Sequence, residues 1–456
     1  MAEATLSATD FEPLRETRQI QAISRPSLSY WQDAWLRLKA NTRALVSLYL
    51  VAGLLAFTTV GPLLWQVDPA AQDVEQISQP PGAERSATVV EPYQPWDGSS
   101  LLMASSGLRL AEAANNQSVR LMWDATPAAN RYRIYRNIFP IGAEGALGLP
   151  LAENFGGDST IFEDRLDLVP RTYYYSVVSY AADAGVLDTQ TLEVTVSRVI
   201  TVAEVRDRAL LAADEALALG DTVYLALHPL GTDYLGRDLL SRLMHGARVS
   251  LFIGIVAPFL YVLFGVVYGS AAGFVGGRFD QACMRFADFV VALPFLLFMI
   301  LFKITFGIGP GESGVLPMLL AMVLLLWPAT ARLVRGQILQ IREEGYIDAS
   351  RLLGAQTPYL VLRHMIPNTM GVILVTLTFA VPSAIFTEAF LSFIGMGVAP
   401  PTPSWGSMCN EGIKTMLTTP HELIFPAVLI SITVLAFNLL GDGLRDALDA
   451  RMRSTE

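Results

Sequence analysis

The sequence predicts an all-α polytopic membrane protein of six transmembrane helices that carries an inserted all-β sandwich domain. Three observations support this prediction. The 456-residue chain is 52% apolar and only 16% charged, whereas average soluble proteins carry roughly 25% charged residues. Its apolar residues are concentrated in six runs, and crossing a bilayer core of about 30 Å takes roughly 20 helical residues. A polar segment with strand-like patterning, residues 83–227, separates the first run from the other five.

The first apolar run, residues 44–65, contains no charge and follows a polar tail, residues 1–43. That tail is too long for the usual leader of a cleaved signal peptide, so we interpret the run as a retained anchor. The membrane core is predicted over residues 228–440, where Lys303 and Glu388 are the charges within the runs. The five later runs are residues 250–275, 289–308, 314–331, 370–394 and 423–440.

The orientation follows from the basic residues beside the runs, because cytoplasmic flanks are enriched in Lys and Arg. With a cytoplasmic N-terminus, the inner flanks hold 16 basic residues and the short outer flanks hold Lys414 alone. Both tails, 1–43 and 441–456, are therefore predicted to be cytoplasmic and the insert to be outside. Three arginines before the second run oppose this assignment. They are Arg237, Arg242 and Arg248.

The predicted insert carries most of the negative charge of the chain. It contains 11 Arg, no Lys and 19 acidic residues, so it accounts for −8 of the net charge of −10. This balance argues against nucleic acid as a partner. Strand patterns separated by turn residues occur at 119–123, 131–136, 172–180 and 191–197. Residues 202–219 are predicted to form a helical stalk that returns to the membrane.

Two stretches of the insert, "VRLMWDATPAANRYRIYRN" and "FEDRLDLVPRTYYYSVVSY", resemble a fibronectin type III domain over about residues 115–200. Trp123 matches the core tryptophan of the second strand, and Tyr132 with Ile134 match the inward pair of the third. Tyr174 matches the tyrosine corner. The resemblance implies a sandwich that binds or spaces, so a docking role and a passive spacer both remain open.

A second informative segment is "REEGYIDASRLLGAQTPYLVLRHMIPN", between the fourth and fifth runs. Residues 343–353 are predicted to form a short amphipathic helix, which Gly354 can end by adopting a left-handed conformation. Ala349 and Ser350 are small and would let another protein approach the helix backbone closely. The alternative is a helix that merely lies on the membrane surface.

This segment resembles the coupling motif of ATP-binding-cassette importer permeases, whose coupling helix receives the motion of the ATPases. Asp348 and Ser350 replace the glutamate and alanine of the strictest form of the motif, and His364 replaces an aliphatic residue. Such departures are usual in the peptide-transporting branch. The residues that the resemblance assigns to coupling are Glu344, Asp348, Ala349, Ser350, Gly354, His364 and Pro367.

Three further stretches resemble dipeptide and oligopeptide permeases of the C type. They are "HPLGTDYLGRDLLSRLMHGARVSL", "LSFIGMGVAPPTPSWGSMCNEG" and "ITVLAFNLLGDGLRDALDARMR". The resemblance covers about residues 25–82 and 228–453. It implies a type I importer permease fold in the bacterial inner membrane, in contact with the lipid bilayer. The implied partners are a second homologous permease subunit in a heterodimer, two cytosolic ATP-binding subunits and a periplasmic solute-binding protein.

The implied activity is transport by alternating access, without cofactor and without catalysis by this chain. The glycine-rich "GIGPGESG" at 307–314 lacks the Lys-Ser/Thr ending of a nucleotide-binding loop. The solute could also be nickel, glutathione or another small molecule. A receptor or adhesion protein is an alternative from another class, but it predicts a cytoplasmic signalling domain longer than residues 1–43. A membrane-embedded enzyme would need paired acids or histidines at mid-membrane depth.

Glu388 is the acidic residue within a predicted span. It lies 18 residues beyond Met370, which is about 27 Å along a helix and near its outer end. Acidic residues inside a membrane usually face a cavity or a partner, which predicts a role in the translocation path or outer gate. The alternatives are snorkelling to the interface and a structural hydrogen bond. The four histidines are scattered along the chain and predict no metal site.

Overall fold

The structure is a computed structural model that describes residues 30–100, 106–140, 147–156, 158–208, 210, 217–306 and 313–448. The chain divides into two compact units. The membrane unit comprises Met1–Pro81 and Leu230–Glu456, and the insert unit comprises Gly82–Pro229. The predicted cytoplasmic tails lie partly outside the described residues, and the predicted loop 309–312 lies wholly outside them.

The membrane unit is helical. In chain order the helices are α1 (Tyr30–Ala40), α2 (Thr42–Thr59), α3 (Gly61–Leu64), α4 (Val202–Asp207), α5 (Leu239–Val275), α6 (Gly277–Ala292), α7 (Phe295–Thr305), α8 (Val315–Arg342), α9 (Gly345–Leu352), α10 (Thr357–Tyr359), α11 (Ile366–Phe393), α12 (Trp405–Gly412) and α13 (His421–Leu448). Helix α4 belongs to the insert unit. A π-helical turn, Leu360–Met365, joins α10 to α11. Among the described residues, five spans are long and apolar enough to cross a membrane. They are Thr42–Leu64, Leu239–Val275, Val315–Arg342, Thr357–Phe393 and His421–Leu448.

The predicted third span, residues 289–308, is not one straight helix. Helices α6 and α7 meet at Leu293 and Pro294 with a bend of 80°. Proline lacks a backbone N–H and forces the preceding residue towards extended geometry, and Leu293 has φ −71° and ψ 124°. The 11 residues of α7 extend only about 16 Å. The described residues therefore hold five spans, or six if this bent pair counts as one.

Helices α5 and α8 pack closely because α5 presents a glycine every fourth residue, at Gly265, Gly269 and Gly273. A Cβ atom at Gly265 would lie 2.9 Å from the carbonyl oxygen of Trp327, and one at Gly273 would lie 3.0 Å from that of Arg335. Small residues at this spacing let helix backbones approach in membranes, where lipid is as apolar as the helix surface.

Two loops of the membrane unit, residues 73–79 and 231–238, are joined by backbone hydrogen bonds and are called the neck here. The bonded pairs are Asp73 with Gly236, Ser78 with Asp233 and Gln79 with Thr232, at N···O distances of 3.1, 2.9 and 3.0 Å. Gly236 has φ +74° and its Cβ position is occupied by the backbone of Asp73, so both conformation and space require glycine there.

The insert unit contains the strands of the structure. They are β1 (Ser86–Val90), β2 (Arg109–Leu110), β3 (Val119–Met122), β4 (Arg131–Asn137), β5 (Ala152–Phe155), β6 (Ile161–Asp164), β7 (Thr172–Tyr180), β8 (Val186–Thr195), β9 (Val199–Thr201) and β10 (Thr222–Tyr224). They form three sheets with the orders β10-β1-β9, β2-β3-β6 and β5-β4-β7-β8. The last two sheets are antiparallel and share one core, so they form the predicted sandwich.

The sandwich lies in sequence between β1 and β9, which pair in parallel. The insert is therefore nested. A small sheet with its own core, including Val89, Ile200 and Val223, holds the ends of the sandwich. The predicted stalk 202–219 is wrong as one helix, because α4 ends at Asp207. Val205 is buried in the small core, and the chain then returns to pair β10 with β1. Residues 209 and 211–216 lie outside the described residues.

The core of the sandwich contains Trp123, Tyr132 and Ile134, as predicted. The ring centroids of Trp123 and Tyr132 lie 5.4 Å apart. The tyrosine corner differs from the prediction, because the buried residue is Tyr173. Its hydroxyl accepts a hydrogen bond from the Val169 N–H at 3.1 Å, whereas Tyr174 is half-buried on the opposite face of β7. The alternating face that points inwards therefore begins one residue earlier than the sequence suggested.

Candidate functional site

The residues that the sequence assigns to coupling lie mostly on one exposed part of the membrane unit, the α9 segment (residues 343–368). Two residues, Glu343 and Glu344, separate the end of α8 from the start of α9. Glu344 occupies the N-cap position with extended backbone geometry, but its exposed side chain makes no capping hydrogen bond. The break at Glu343 and Glu344 therefore ends α8 and sets α9 apart as a separate short helix.

One buried side chain anchors α9. Ile347 is fully buried and packs with Val334 and Ile338 of α8 and with Met365 of the π-helical turn. Burying such a side chain contributes about 1.5–3 kcal/mol. The neighbouring Asp348 and Ala349 are exposed. Helix α9 is thus fixed from behind, while the small and acidic residues predicted for coupling face outwards.

The end of α9 confirms the left-handed conformation predicted for Gly354. Its φ is +88°, and no atom lies within 4 Å of the position that a Cβ would take. The Gly354 N–H donates to the Arg351 carbonyl at 2.9 Å, and the Ala355 N–H donates to the Ser350 carbonyl at 3.0 Å. These two bonds form a Schellman ending, which satisfies carbonyls that the helix leaves unpaired.

The remaining predicted residues of the segment lie behind α9. His364 is half-buried between the rings of Tyr359 and Tyr346, with centroid distances of 5.4 and 6.3 Å. The Asn368 amide donates to the Tyr346 hydroxyl at 2.9 Å, and Pro367 starts the first turn of α11. His364 thus belongs to the support of α9, whereas Pro367 is exposed in the first turn of α11.

Two further residues of the α9 segment were not singled out from the sequence. Leu352 and Leu353 are each 89% exposed at the end of α9. Exposed apolar pairs beside small residues are typical of surfaces that another protein covers. The available signal was the helical spacing, which places both leucines away from Ile347, the one buried position of the helix.

The structure does not bring Glu388 to the α9 segment. Glu388 lies in α11, 22 residues after Ile366, which is about 33 Å along the helix. Its side chain is fully buried, so the snorkelling alternative is wrong. The Ser392 hydroxyl donates to one carboxylate oxygen at 2.8 Å, which favours the structural alternative. A place in the translocation path stays a prediction.

A cluster of four charged residues, Asp233, Arg237, Arg242 and Glu411, was missed as a unit. It is called the charge cluster here. Arg237 donates to the carboxylates of Asp233 and Glu411 at 2.7 and 2.9 Å. Arg242 donates to Glu411 at 2.7 Å and also to Asp233. The side chains are 3–12% exposed. Charges buried to this extent are stable only when they are paired and hydrogen-bonded.

Two of the three arginines that opposed the predicted orientation, Arg237 and Arg242, belong to the charge cluster. Arg237 and Arg242 are neutralised by Asp233 and Glu411, so they do not act as free positive charges beside α5. Arg248 donates to the carbonyl of Thr58 at 2.7 Å, near the end of α2. Asp233 and Arg237 are four residues apart, but Glu411 is 169 residues from Arg242, so no local spacing in the sequence joins the four side chains.

The histidines of the membrane unit contact backbone atoms or rings. His245 Nδ1 lies 2.9 Å from the Ser241 carbonyl, and His421 Nε2 lies 3.3 Å from the Thr232 carbonyl. Within the described ranges, no group of three or more His, Cys, Asp or Glu side chains could hold a metal ion.

Two family models match the chain. The model of the binding-protein-dependent transport system inner membrane component matches residues 265–454. The model of the N-terminal transmembrane domain of oligopeptide transport permease C matches residues 29–81. The two matches lie in the membrane unit, on either side of the insert.

Each of three curated relatives matches about half of the chain. The oligopeptide transport system permease protein OppC of Bacillus subtilis is 48% identical over 226 residues, which are 50% of this chain and 72% of the relative. The dipeptide transport system permease protein DppC of Bacillus subtilis is 46% identical over 227 residues, with shares of 50% and 69%. The glutathione transport system permease protein GsiD of Escherichia coli is 42% identical over 226 residues, with shares of 50% and 73%.

Proposed function

Because the chain belongs to the family of binding-protein-dependent transport system inner membrane components, we propose that it is a permease subunit of an ATP-driven importer of di- or oligopeptides. Permease subunits of this family are not enzymes, and ATP hydrolysis belongs to partner subunits. The names of the relatives that carry oligopeptides and dipeptides support the cargo class.

The observation that carries the coupling proposal is the construction of α9. Ile347 fixes the helix to α8, and its outward side presents Asp348, Ala349 and the leucine pair 352–353. A short helix anchored in this way can transmit a push from a docked protein to α8 and α11. We assign Glu344, Ser350, Gly354, His364 and Pro367 to the shape and support of this helix.

In the proposed assembly, two cytosolic ATP-binding subunits dock on this permease and on a second homologous permease. Closure of the ATPases would move the two coupling helices and open the shared path towards the periplasm. A soluble binding protein would then release its peptide into that path. The α9 segment and both tails are cytoplasmic in this orientation, and the insert unit is periplasmic.

Removing residues 349–354 tests the coupling role in the assembled transporter. The variant is expected to insert into the membrane but to lose the dependence of ATP hydrolysis on peptide and binding protein. The exposed pair offers a milder test, in which Leu353→Glu weakens ATPase binding. Leu417→Glu is a matched control because Leu417 is also 89% exposed but lies between α12 and α13. Unchanged coupling in the deletion variant would contradict the proposal.

Co-purification from native membranes tests the assembly. A second permease and ATP-binding subunits are expected to accompany the chain, whereas a lone homo-oligomer would argue against the proposal. Uptake of labelled dipeptide, oligopeptide and glutathione then separates the cargo classes. Glutathione is the second candidate because GsiD is 42% identical to the chain over 226 residues.

The insert unit is proposed to contribute to docking of the binding protein, with a passive spacer as the alternative. Its acidic surface and its separate cores support an independent module. Replacement of residues 82–229 by a short linker should leave membrane assembly intact, because the neck residues stay in place. Weaker docking of the binding protein in that variant supports the docking role, and unchanged docking supports the spacer.

A further inference from the structure

A single residue connects helix α1 to the start of a membrane span. Asn41 separates α1 from α2 and has extended geometry, with φ −83° and ψ 102°. Its side chain accepts hydrogen bonds from the N–H groups of Arg43 and Ala44 and so caps α2. Because α2 begins the span Thr42–Leu64, α1 must lie close to the boundary between lipid and water.

The surface of α1 divides into three sectors. Ala34 and Leu38 are buried, and Leu38 packs with Ala447 of α13. At 100° per residue, Asp33 and Arg37 lie on a second sector, where they form an ion pair of 3.3 Å.

The third sector of α1 carries the apolar side chains of Trp35 and Leu36, with Gln32 and Lys39 between them. Trp35 and Leu36 are 47% and 51% exposed, and no described residue covers either of them further. The Lys39 ammonium lies between them on the helical projection and 5.1 Å from the centroid of the Trp35 ring.

We propose that this third sector of α1 binds an anionic lipid surface, with Trp35 and Leu36 in the interfacial layer and Lys39 among the headgroups. Tryptophan is enriched at membrane interfaces. A lysine stem can lie along apolar surface while its ammonium reaches the polar layer. Lys39 and Arg43 flank the joint to α2, and each basic residue near an anionic surface strengthens binding.

Helix α2, which follows α1 after Asn41, also exposes apolar side chains. Val46, Tyr49 and Leu50 are 55%, 68% and 42% exposed within the span. In a membrane these side chains contact lipid, and a single residue, Asn41, connects α1 to their helix. This connection favours lipid over a cytosolic protein as the occupant. The inference rests on the membrane span and not on the proposed cargo.

Spin labels test the inference on the full chain in lipid nanodiscs that contain phosphatidylglycerol. Cysteines at 33, 35 and 36 are introduced one at a time, after Cys283→Ser removes the half-exposed native thiol. Labels at 35 and 36 should show an oxygen-to-nickel-chelate accessibility ratio several-fold above that of the label at 33. Equal ratios at all three positions would overturn the inference.

Two further measurements keep the test independent of label effects. Brominated phosphatidylglycerol should quench native Trp35, so the difference in quenching between the wild type and Trp35→Phe should be measurable. When brominated phosphatidylcholine takes the place of brominated phosphatidylglycerol, that difference in quenching should become smaller. Protection of positions 35 and 36 that arises only after the ATP-binding subunits are added would assign the surface to a protein and overturn the lipid inference.

Discussion

Burial has opposite chemical meanings in the two units of this chain. The insert unit buries Trp123, Tyr132 and Ile134 and exposes most of its charges. The membrane unit exposes leucines, valines and phenylalanines along its spans and buries the charge cluster. Each unit has the surface that its solvent favours, water for the insert and hydrocarbon for the spans.

The two units also treat buried charge differently. In the insert, the buried carboxylate of Asp164 accepts hydrogen bonds from the Tyr175 hydroxyl at 2.6 Å and from Arg136 at 2.9 Å, and Arg136 remains partly exposed. In the charge cluster of the membrane unit, both partners of each pair are only 3–12% exposed. Polar atoms near lipid cannot form hydrogen bonds to water. Their pairing with one another therefore contributes more to stability.

The largest effect is expected from breaking the charge cluster. Arg242→Met removes one cation and leaves Asp233 and Glu411 with Arg237 alone. Loss of one partner of a buried ion pair costs about 3–5 kcal/mol. The free energy of unfolding, measured in bicelles, should fall by this amount.

Arg351→Met is the matched control, because the Arg351 side chain is 40% exposed and pairs weakly with Asp348 at 3.5 Å. It should change stability by less than about 0.5 kcal/mol. Combining Arg242→Met with Glu411→Gln should recover part of the loss. If Arg242→Met lowers the free energy of unfolding by less than about 1 kcal/mol, the charge cluster behaves like an exposed ion pair, and the comparison with the insert fails.

Replacing an exposed leucine by lysine should have different effects where the leucine faces lipid and where it faces water. Leu50→Lys, in the first span, should reduce membrane integration by about 3 kcal/mol, because lysine is disfavoured and leucine favoured at mid-helix. Leu149→Lys, in the insert, should change stability little, because Leu149 is 92% exposed. Integration assays and thermal unfolding measure the two effects. Equal effects would remove the distinction between lipid-facing and water-facing surfaces.

Tyr175 tests the buried polar contact of the insert. Burial and then the hydrogen bond to Asp164 raise the pKa of Tyr175 above its ordinary value of about 10. The folded state therefore keeps the proton when the unfolded state begins to lose it. The stabilisation is complete below about pH 10 and is lost as pH rises beyond that value.

Tyr175→Phe should cost about 2 kcal/mol at neutral pH, because it removes a hydrogen bond to a charged group. The loss of stability above about pH 10 should also become smaller in this variant. Thermal unfolding as a function of pH measures both quantities. Tyr180→Phe, on the opposite face of β7, is the control and should keep the alkaline slope that belongs to Tyr175.

The smallest effect concerns the exposed end of α9, where the membrane unit faces water. Gly354→Ala should cost about 1 kcal/mol through backbone strain alone, because an L-residue disfavours the left-handed conformation and no atom crowds its Cβ. Gly336→Ala is the control. That glycine lies inside α8 with no atom within 4 Å of its Cβ position, so alanine should be neutral or stabilising. Hydrogen exchange at the Ala355 N–H measures the difference.

Local patterns predicted local features well. The strand 172–180 and the left-handed Gly354 follow from short-range alternation and from a glycine after a helical segment. The long apolar runs marked the spans because hydrocarbon thickness sets their length. The family resemblance rested on residues 228–251 and 342–368, and the matched relatives confirm it.

The differences from the sequence-based expectations have physical causes. The bend between α6 and α7 lies at Pro294, inside the run 289–308, and apolar length alone does not predict a bend. The succession Tyr173, Tyr174 and Tyr175 left the inward parity of β7 ambiguous, because any of the three could fill a core. The charge cluster depends on Glu411, which reaches Arg242 only through the packing of α12, and no local pattern records that.

At the neck, a long insertion between the two loops has only a small free-energy cost. Its hydrogen bonds bring residue 79 beside residue 232, so the polypeptide leaves and re-enters the membrane unit at one point. The entropic free-energy cost of closing a loop rises only with the logarithm of the loop length. Each doubling of the length adds about 0.6 kcal/mol to this cost. Lengthening a connection of roughly 10 residues to about 150 would therefore add only about 2.4 kcal/mol. A graft site of this kind can accept a whole domain in place of a short turn.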